Sequence, residues 1–458
     1  MTSHPIDPAR GRMRAVKISL LAGTAALGLL AAGPAQAETA REAALERRLQ
    51  ALEQELNALK AGQTPTQREA ALEQRVVELE NEIKGIKALG PERMVRGGRR
   101  DVTVELYGQA NRGFLTVDDG HRTTFNNVDN DSSSTRFGMR GRAPILNNDI
   151  TFGANIELEI QSNPSNVINQ FDNKVGGNNG STVTVDERIL EAFVESKTFG
   201  RLSFGQGDTA SNNTAEQDLS GTAVSSGYSD ITTTAGGFRF ANKRLANGTF
   251  PYSTNNALSP RIKDAFNNLD GLSRQDRLRY DTPSFYGFSA AGSVTGSTGT
   301  GATNARDAAL FYSGKLGPVQ LAAATAAAFQ HNSFNIYDGS ISALTDWGPN
   351  LTFAAGSTSN NGAGREPRQY YYVKLGYLAD WFQIGKTAFA VDFSEQTDMG
   401  VNGDYAKMVG GYIVQNFDRQ GTEVYLAVRN HSLSNDKSNP NNDFNDILAV
   451  MTGLRVRF

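Results

Sequence analysis

The chain has 458 residues, of which 39% are hydrophobic and 20% charged, with 47 glycines, no cysteine and a net charge of −3. That balance excludes a protein that coats nucleic acid, and the missing cysteines exclude a disulfide-stapled scaffold. The length suits two or three soluble domains or one large barrel, and glycine spread among Asn, Ser and Thr favours strands and turns over a helical core.

Residues 1–37 read as an export signal: Arg10, Arg12, Arg14 and Lys17 precede the apolar run 18–30, and AQA at 35–37 is a small-residue cleavage site. Cleavage there removes four basic and one acidic side chain and leaves a mature charge of −6. No later run reaches 18 apolar residues, and VQLAAATAAAF at 319–329 is too short to cross a bilayer as a helix. A mature chain that enters a membrane must therefore do so as β-structure.

Residues 38–90 carry a heptad pattern. Leu45, Leu49, Leu52, Leu56 and Leu59 recur at spacings 4, 3, 4, 3, and Leu72, Val76, Leu79, Ile83 and Ile86 repeat the series. GQTPT at 62–66 interrupts the helix, and Thr66 with Glu69 forms a capping box that restarts it. The other helical faces are charged, so the spacing predicts an oligomerising coiled coil, with a monomeric helix pair as the alternative. Residues 91–101, with RGGRR at 96–100, read as a linker.

From residue 102 the period changes to two. Sixteen alternating segments follow, the first at 102–116, the second at 135–144 and the last at 443–458. In 149–161 one parity is Ile150, Phe152, Ala154, Ile156, Leu158 and Ile160, and the other includes Glu157 and Glu159. Such dyads, about ten residues long, fit strands between lipid and a wet lumen, and an even number closes an antiparallel barrel with both termini at one end. The terminal DILAVMTGLRVRF keeps the pattern to its last residue, so the final strand pairs with the first and Phe458 faces lipid.

VELYGQANRGF, STRFGMRGR, GRLSFGQGDTA, DRLRYDTPSFYGFSAAGS and the final LRVRF together resemble a Gram-negative trimeric porin over residues 102–458. With its preceding coiled coil the chain is similar to DcaP-like porins, in which a periplasmic helical segment precedes a trimeric sixteen-strand barrel that favours small anionic compounds. Phosphate- and polyphosphate-selective porins are another relative, and of their basic ladder this chain has part. The resemblance implies an outer-membrane homotrimer and a constriction loop over 208–274. It also implies a C-terminal Phe458 like that read by outer-membrane assembly machinery. Its solutes would be small anions such as dicarboxylates.

Parity assigns the charges of the wall. Phe137 and Met139 face lipid, so Arg136, Arg140 and Arg142 face the lumen; Leu278 and Tyr280 place Arg277 and Arg279 inside. Lys407, Arg429, Arg455 and Arg457 are expected inward as well. They are opposed by Glu105, Glu157, Glu159, Glu191 and Glu423, and by Glu216 and Asp218 of the loop. The second and sixth strands are taken as adjacent basic strands whose arginines give a transverse field across the lumen.

Catalytic patterns are thin. His121, His331 and His431 sit beside Asn, Gly or Ser in expected loops, no HExxH occurs, and GQGDTA lacks the lysine of a phosphate loop. The sequence therefore predicts a passive channel with no metal or other cofactor and no nucleic-acid partner. An outer-membrane barrel enzyme and a structural tether or adhesin are the competing readings.

Overall fold

The computed structural model describes residues 94–96, 102–145, 149–171, 184–243, 250–254, 257–296, 304–330, 334–359, 364–434 and 443–458. The export signal and the heptad segment, with its seam residues, lie outside them.

The alternating segments form an all-β barrel of sixteen walls. They are β1 (Thr103–Asp118), β2 in two pieces (Thr123–Asp129 and Arg136–Ile145), β3 (Ile150–Gln161), β4 (Thr184–Ser196), β5 (Gly200–Asp208), β6 (Arg274–Asp281), β7 (Phe288–Thr295) and β8 (Ala305–Leu316). There follow β9 (Val319–Gln330), β10 (Ile336–Thr345), β11 (Pro349–Thr358), β12 (Gln369–Ala379), β13 (Thr387–Thr397), β14 (Tyr405–Phe417), β15 (Thr422–Ser434) and β16 (Ile447–Arg457). Each pairs antiparallel with the next, and β16 pairs with β1 to close the ring. At the seam Gln109 faces Arg457 and Asp118 faces Leu448. Phe458 completes it, exchanging backbone hydrogen bonds of 2.9 and 3.0 Å with Gly108. Phe458 is thus half of a ladder rung.

Two departures from the sequence reading are physical. The first half of the second wall, Thr123–Asp129, is polar enough to pass for a loop, but Phe125 points out and Val128 in, and it pairs with the upper half of β1. In the linker, Met94–Arg96 folds back onto Thr103–Glu105. β1 reaches below the end of β16, and the returning strand covers that bare edge.

The connections at the end that holds the C-terminus are all short turns, and the long ones, the segment between β5 and β6 above all, lie at the other end. Gly317 and Gly421 take positive φ of 58° and 56° in two of the short turns. Exposed Phe199, Tyr286, Trp347 and Trp381 ring this end below a belt of exposed Leu, Val and Ile, the distribution of a barrel in a bilayer.

The inner surface is not uniformly polar. Between β5 and β6 the chain enters the lumen, and its Val224, Ile231, Phe238, Phe240 and Phe266 join Tyr370, Met408, Tyr412, Tyr425 and Met451 of the wall in one buried apolar cluster. Part of the barrel interior is therefore a packed core.

Tyr425 fits against the wall because Gly113 and Gly453 leave room, and its hydroxyl donates to Asn111 Oδ1 at 2.8 Å. A Cβ at Gly453 would lie 2.5 Å from Tyr425 Cζ and 2.6 Å from the Arg112 carbonyl oxygen. Gly453→Val is expected to destabilise the barrel by about 2 kcal/mol, measured as a lower denaturant midpoint of the refolded protein.

Candidate functional site: the constriction beside the inserted loop

The inserted segment is fastened residue by residue. Leaving β5, it passes Ser211, whose backbone N–H donates to Asp307 Oδ2 of β8 at 2.8 Å. The N–H groups of Gln217 and Leu219 then donate to Ser340 and Ser342 of β10, each at 2.9 Å. Successive inward residues of one strand thus pair with alternate loop amides, a ladder made through serine side chains.

Beyond it comes a buried ionic clasp. Lys374 Nζ of β12 lies 2.6 Å from Asp218, the two side chains 0% and 1% exposed, and donates to Ser226 Oγ at 2.7 Å. Arg429 of β15, wholly buried, donates to Ile231 O at 2.8 Å, to Tyr412 Oη at 2.7 Å and to Ser226 O. Tyr372 and Tyr412 donate in turn to Asp392. Burial pushes Asp218 up, but Lys374 outweighs it and holds the carboxyl below its ordinary range. Two cations and two carboxylates leave the clasp neutral.

Beside the loop remains a polar cavity of about 700 Å³. Its wall side carries Arg136, Glu157, Glu159 and Arg188, and its loop side carries Glu216, Asp230 and Asp270. Arg188 lies 2.8 Å from Glu157 and 2.7 Å from Glu159; Arg136 lies 3.5 Å from Glu157, which also accepts from Tyr107 at 2.9 Å. The loop carboxylates lack such cations. Glu216 accepts from Asn268 at 2.9 Å, Asp230 from Thr232, and Asp270 from the amides of Asn213 and Ala215. Burial raises all three, Asp270 to about 6, and the neighbouring Asp270 and Asp230 charges raise Glu216 further.

A model of Gram-negative porins matches residues 23–436. The chain belongs to the Gram-negative porin family. Among solved structures, the anion-selective porin from Comamonas acidovorans aligns at 16% identity and a TM-score of 0.51, over 78% of this chain and 100% of that one. In-vitro-folded OmpT, an outer membrane protein of Vibrio cholerae, gives 12% and 0.49 over 80% and 100%. The outer membrane channel DcaP of Acinetobacter baumannii gives 10% and 0.45 over 80% and 99%. At these identities the likeness is one of fold. No curated protein matches the sequence. The family and the closed barrel make the chain an outer-membrane diffusion channel.

In this porin Arg136, Glu157, Glu159 and Glu216 come together at the cavity. Arg140 is 3.9 Å from Glu105 and stacks on Tyr107, and Arg142 is exposed on the same inner face. Arg277 is buried against Glu191 and the carbonyl oxygens of Gly205 and Asp208, and Arg279 is 2.7 Å from Asp281. Arg455 and Arg457 both pair with Glu423, and Arg455 also donates to Ser133 Oγ at 2.7 Å. Most of the wall arginines are thus compensated by carboxylates of the wall itself.

Several expectations change. Lys407 shares its face with exposed Val409 and Ile413, opposite Glu395, so it points outward near the end of β14. The apolar residues of that strand that suggested the reverse, Met408, Tyr412 and Val414, face the loop-filled interior. Arg429 is sealed beneath the loop and Asp218 of the loop is sealed against Lys374, so both fasten the loop and touch no passage. β2 and β6 are separated by three walls. Basic residues also stand between them, Arg188 on β4 and Arg201 on β5, with Arg201 2.6 Å from Glu191. His431 is a buried strand residue against Phe266, not a loop residue, while His121 lies in a turn beside Tyr252 and His331 falls outside the described residues.

Arg188, Arg274, Asp230 and Asp270 escaped the sequence reading. A bulge opposite Glu157 and Leu158 shifts the phase of β4, so Arg188 turns inward although it is an even number of residues from outward Leu190. The signal was present: Val185 and Leu190 are both exposed on the outer face yet of opposite parity.

Lys374→Met is expected to leave Asp218 buried and unpaired, lowering unfolding stability by about 3 kcal/mol, with Asp218→Leu in addition recovering much of it. The check is the denaturant midpoint of both variants. A carboxylate raised in the folded state contributes stability that is complete below its ordinary pKa and lost as pH rises through the folded value. Asp270, raised to about 6, should therefore make cleavage of the loop by added protease slower at pH 5 than at pH 8, and Asp270→Asn should shrink that difference.

Proposed function

We propose that the chain is a passive, non-enzymatic porin for small hydrophilic solutes, favours small anions such as dicarboxylates, and works as a homotrimer. The observation that carries this is the cavity itself. The loop closes the apolar side of the lumen and leaves a polar gap where Arg136, Arg188 and Arg274 stand on the wall. Guanidinium groups already oriented by Glu157, Glu159 and Asp208 offer donors to a carboxylate without reorganising. Burial raises the proton affinity of the opposing loop carboxylates, so the repulsion an anion meets there lessens as pH falls. The same reading makes 1–37 a cleaved export signal and 38–90 a periplasmic coiled coil that strengthens the trimer. It makes Phe458 the mark that assembly machinery recognises.

Single-channel recording of the purified chain in a planar bilayer under a salt gradient tests it. Conductance in steps of three, with a reversal potential on the anion side, is the expected outcome; silence from folded protein would overturn the channel reading. Changing Arg136, Arg188 and Arg274 together to Gln should move the reversal potential toward cations. An unchanged potential would remove these arginines from the selectivity.

A further inference from the structure

The cavity beside the loop has a third side. Besides the wall of β2 to β4 and the loop carboxylates, it is lined by Phe334, Ile336 and Arg368, from the strand ends where β10 and β12 begin. β11 is eight walls from β3 in the ring of sixteen, so this lining lies across the lumen from Arg136 and Arg188.

Arg368 differs from the other arginines of the cavity. Arg136 lies 3.5 Å from Glu157, Arg188 2.7 Å from Glu159 and Arg274 2.9 Å from Asp208. Among the described residues no carboxylate or carbonyl oxygen pairs with the Arg368 guanidinium, which lies over the Phe334 ring at 4.7 Å. Its neighbour Arg365 is occupied by the carbonyl oxygens of Gly400, Asp398 and Met399, at 2.8, 3.2 and 3.4 Å. Asp404, whose charge reaches Arg368, is 5% exposed and accepts from the amides of Gly400 and Val401 at 2.7 and 3.0 Å. Burial, and then the like charge of Arg365, lower the proton affinity of Arg368, as expected of a cation that its surroundings do not compensate.

The side chain is also held in place. The Arg368 N–H donates to Thr358 Oγ1 and its carbonyl oxygen accepts from the Thr358 N–H, both at 3.0 Å. Phe334 packs against the buried apolar cluster, so the ring beneath the guanidinium is fixed. A guanidinium lying on an aromatic face keeps the edge of its fork free for a carboxylate.

We propose that Arg368 is a second anion station, taking one end of a solute whose other end lies by Arg136, Arg188 and Arg274, so that the cavity selects solutes with two separated anionic groups. The proposal rests on the anion-channel reading above and adds the residue that tells a dianion from a monoanion. The wall arginines do this poorly alone, because Glu157, Glu159 and Asp208 cancel much of their charge. A monoanion occupies one station at a time. A dianion held at one end meets the other station as an intramolecular contact, at high effective concentration.

The test uses the purified full chain in a planar bilayer and reads the concentration of glutarate, or of valerate with the same number of carbons, that halves the chloride current. Glutarate is expected to act at a concentration about tenfold lower, and Arg368→Gln to remove most of that advantage while leaving valerate unchanged. Equal action of the two acids on the unaltered chain, or an unchanged ratio in Arg368→Gln, overturns the second station; a reversal potential still on the anion side then leaves the channel reading standing. A silent or cation-selective channel overturns both. Should Arg368→Gln fail to fold, Phe334→Leu keeps the charge and removes its platform. That change should lower the glutarate advantage about threefold, and no change would sink the assignment.

Discussion

The interior of the barrel depends on the buried clasp between Lys374, Arg429 and the inserted loop. Two charges withdrawn completely from water are tolerated only when each meets an opposite charge or several hydrogen-bond acceptors. The wall alone does not provide these: Asp218, the Ser226 hydroxyl, and the carbonyl oxygens of Ser226 and Ile231 all belong to the loop. With the loop in place the charges are satisfied, and with the charges satisfied the loop has a fixed position. This mutual requirement turns a long connection, which would otherwise be an external flap, into part of the channel's lining.

Where the solute path runs follows from that position. The loop's apolar side is spent against Tyr370, Met408, Tyr412 and Met451, so its polar side is left to face β2 to β4. There the wall's Arg–Glu pairs are cross-strand neighbours held at fixed spacing, which makes the local field a property of the sheet rather than of mobile side chains. The loop contributes carboxylates of a different kind, bonded to amides and hydroxyls and sensitive to protons. Permanent charge thus stands on one side of the cavity and titratable charge on the other.

Much of the fold was legible because a bilayer enforces a strict rule on outward residues. Ile150 to Ile160 alternate without interruption, and Leu448 to Phe458 with Thr452 as the one exception, since every second side chain meets lipid. Sixteen walls and the closing seam could be read from that rule, and one oversized interval marked the segment whose entry into the barrel the porin resemblance implies. The first piece of β2 could not, because its outward Asn127 and neighbouring Arg112 break the apolar parity that identifies a lipid-facing strand.

The site was less legible for a related reason. Parity assigns faces when exactly one of them is apolar, but the loop makes the lumen beside β12 to β16 as dry as the outside. Met408, Tyr412 and Val414 then look like lipid contacts, and Lys407 is placed inside by default, while β2 and β3 keep a wet face on which Arg136, Glu157 and Glu159 line the cavity. A buried Arg429 and an outward Lys407 are both inserted into apolar alternation, and only the partners distinguish them: loop carbonyls for the first, the end of the strand and Glu395 for the second. Those partners are about two hundred residues away or on the next strand, beyond the reach of any local pattern.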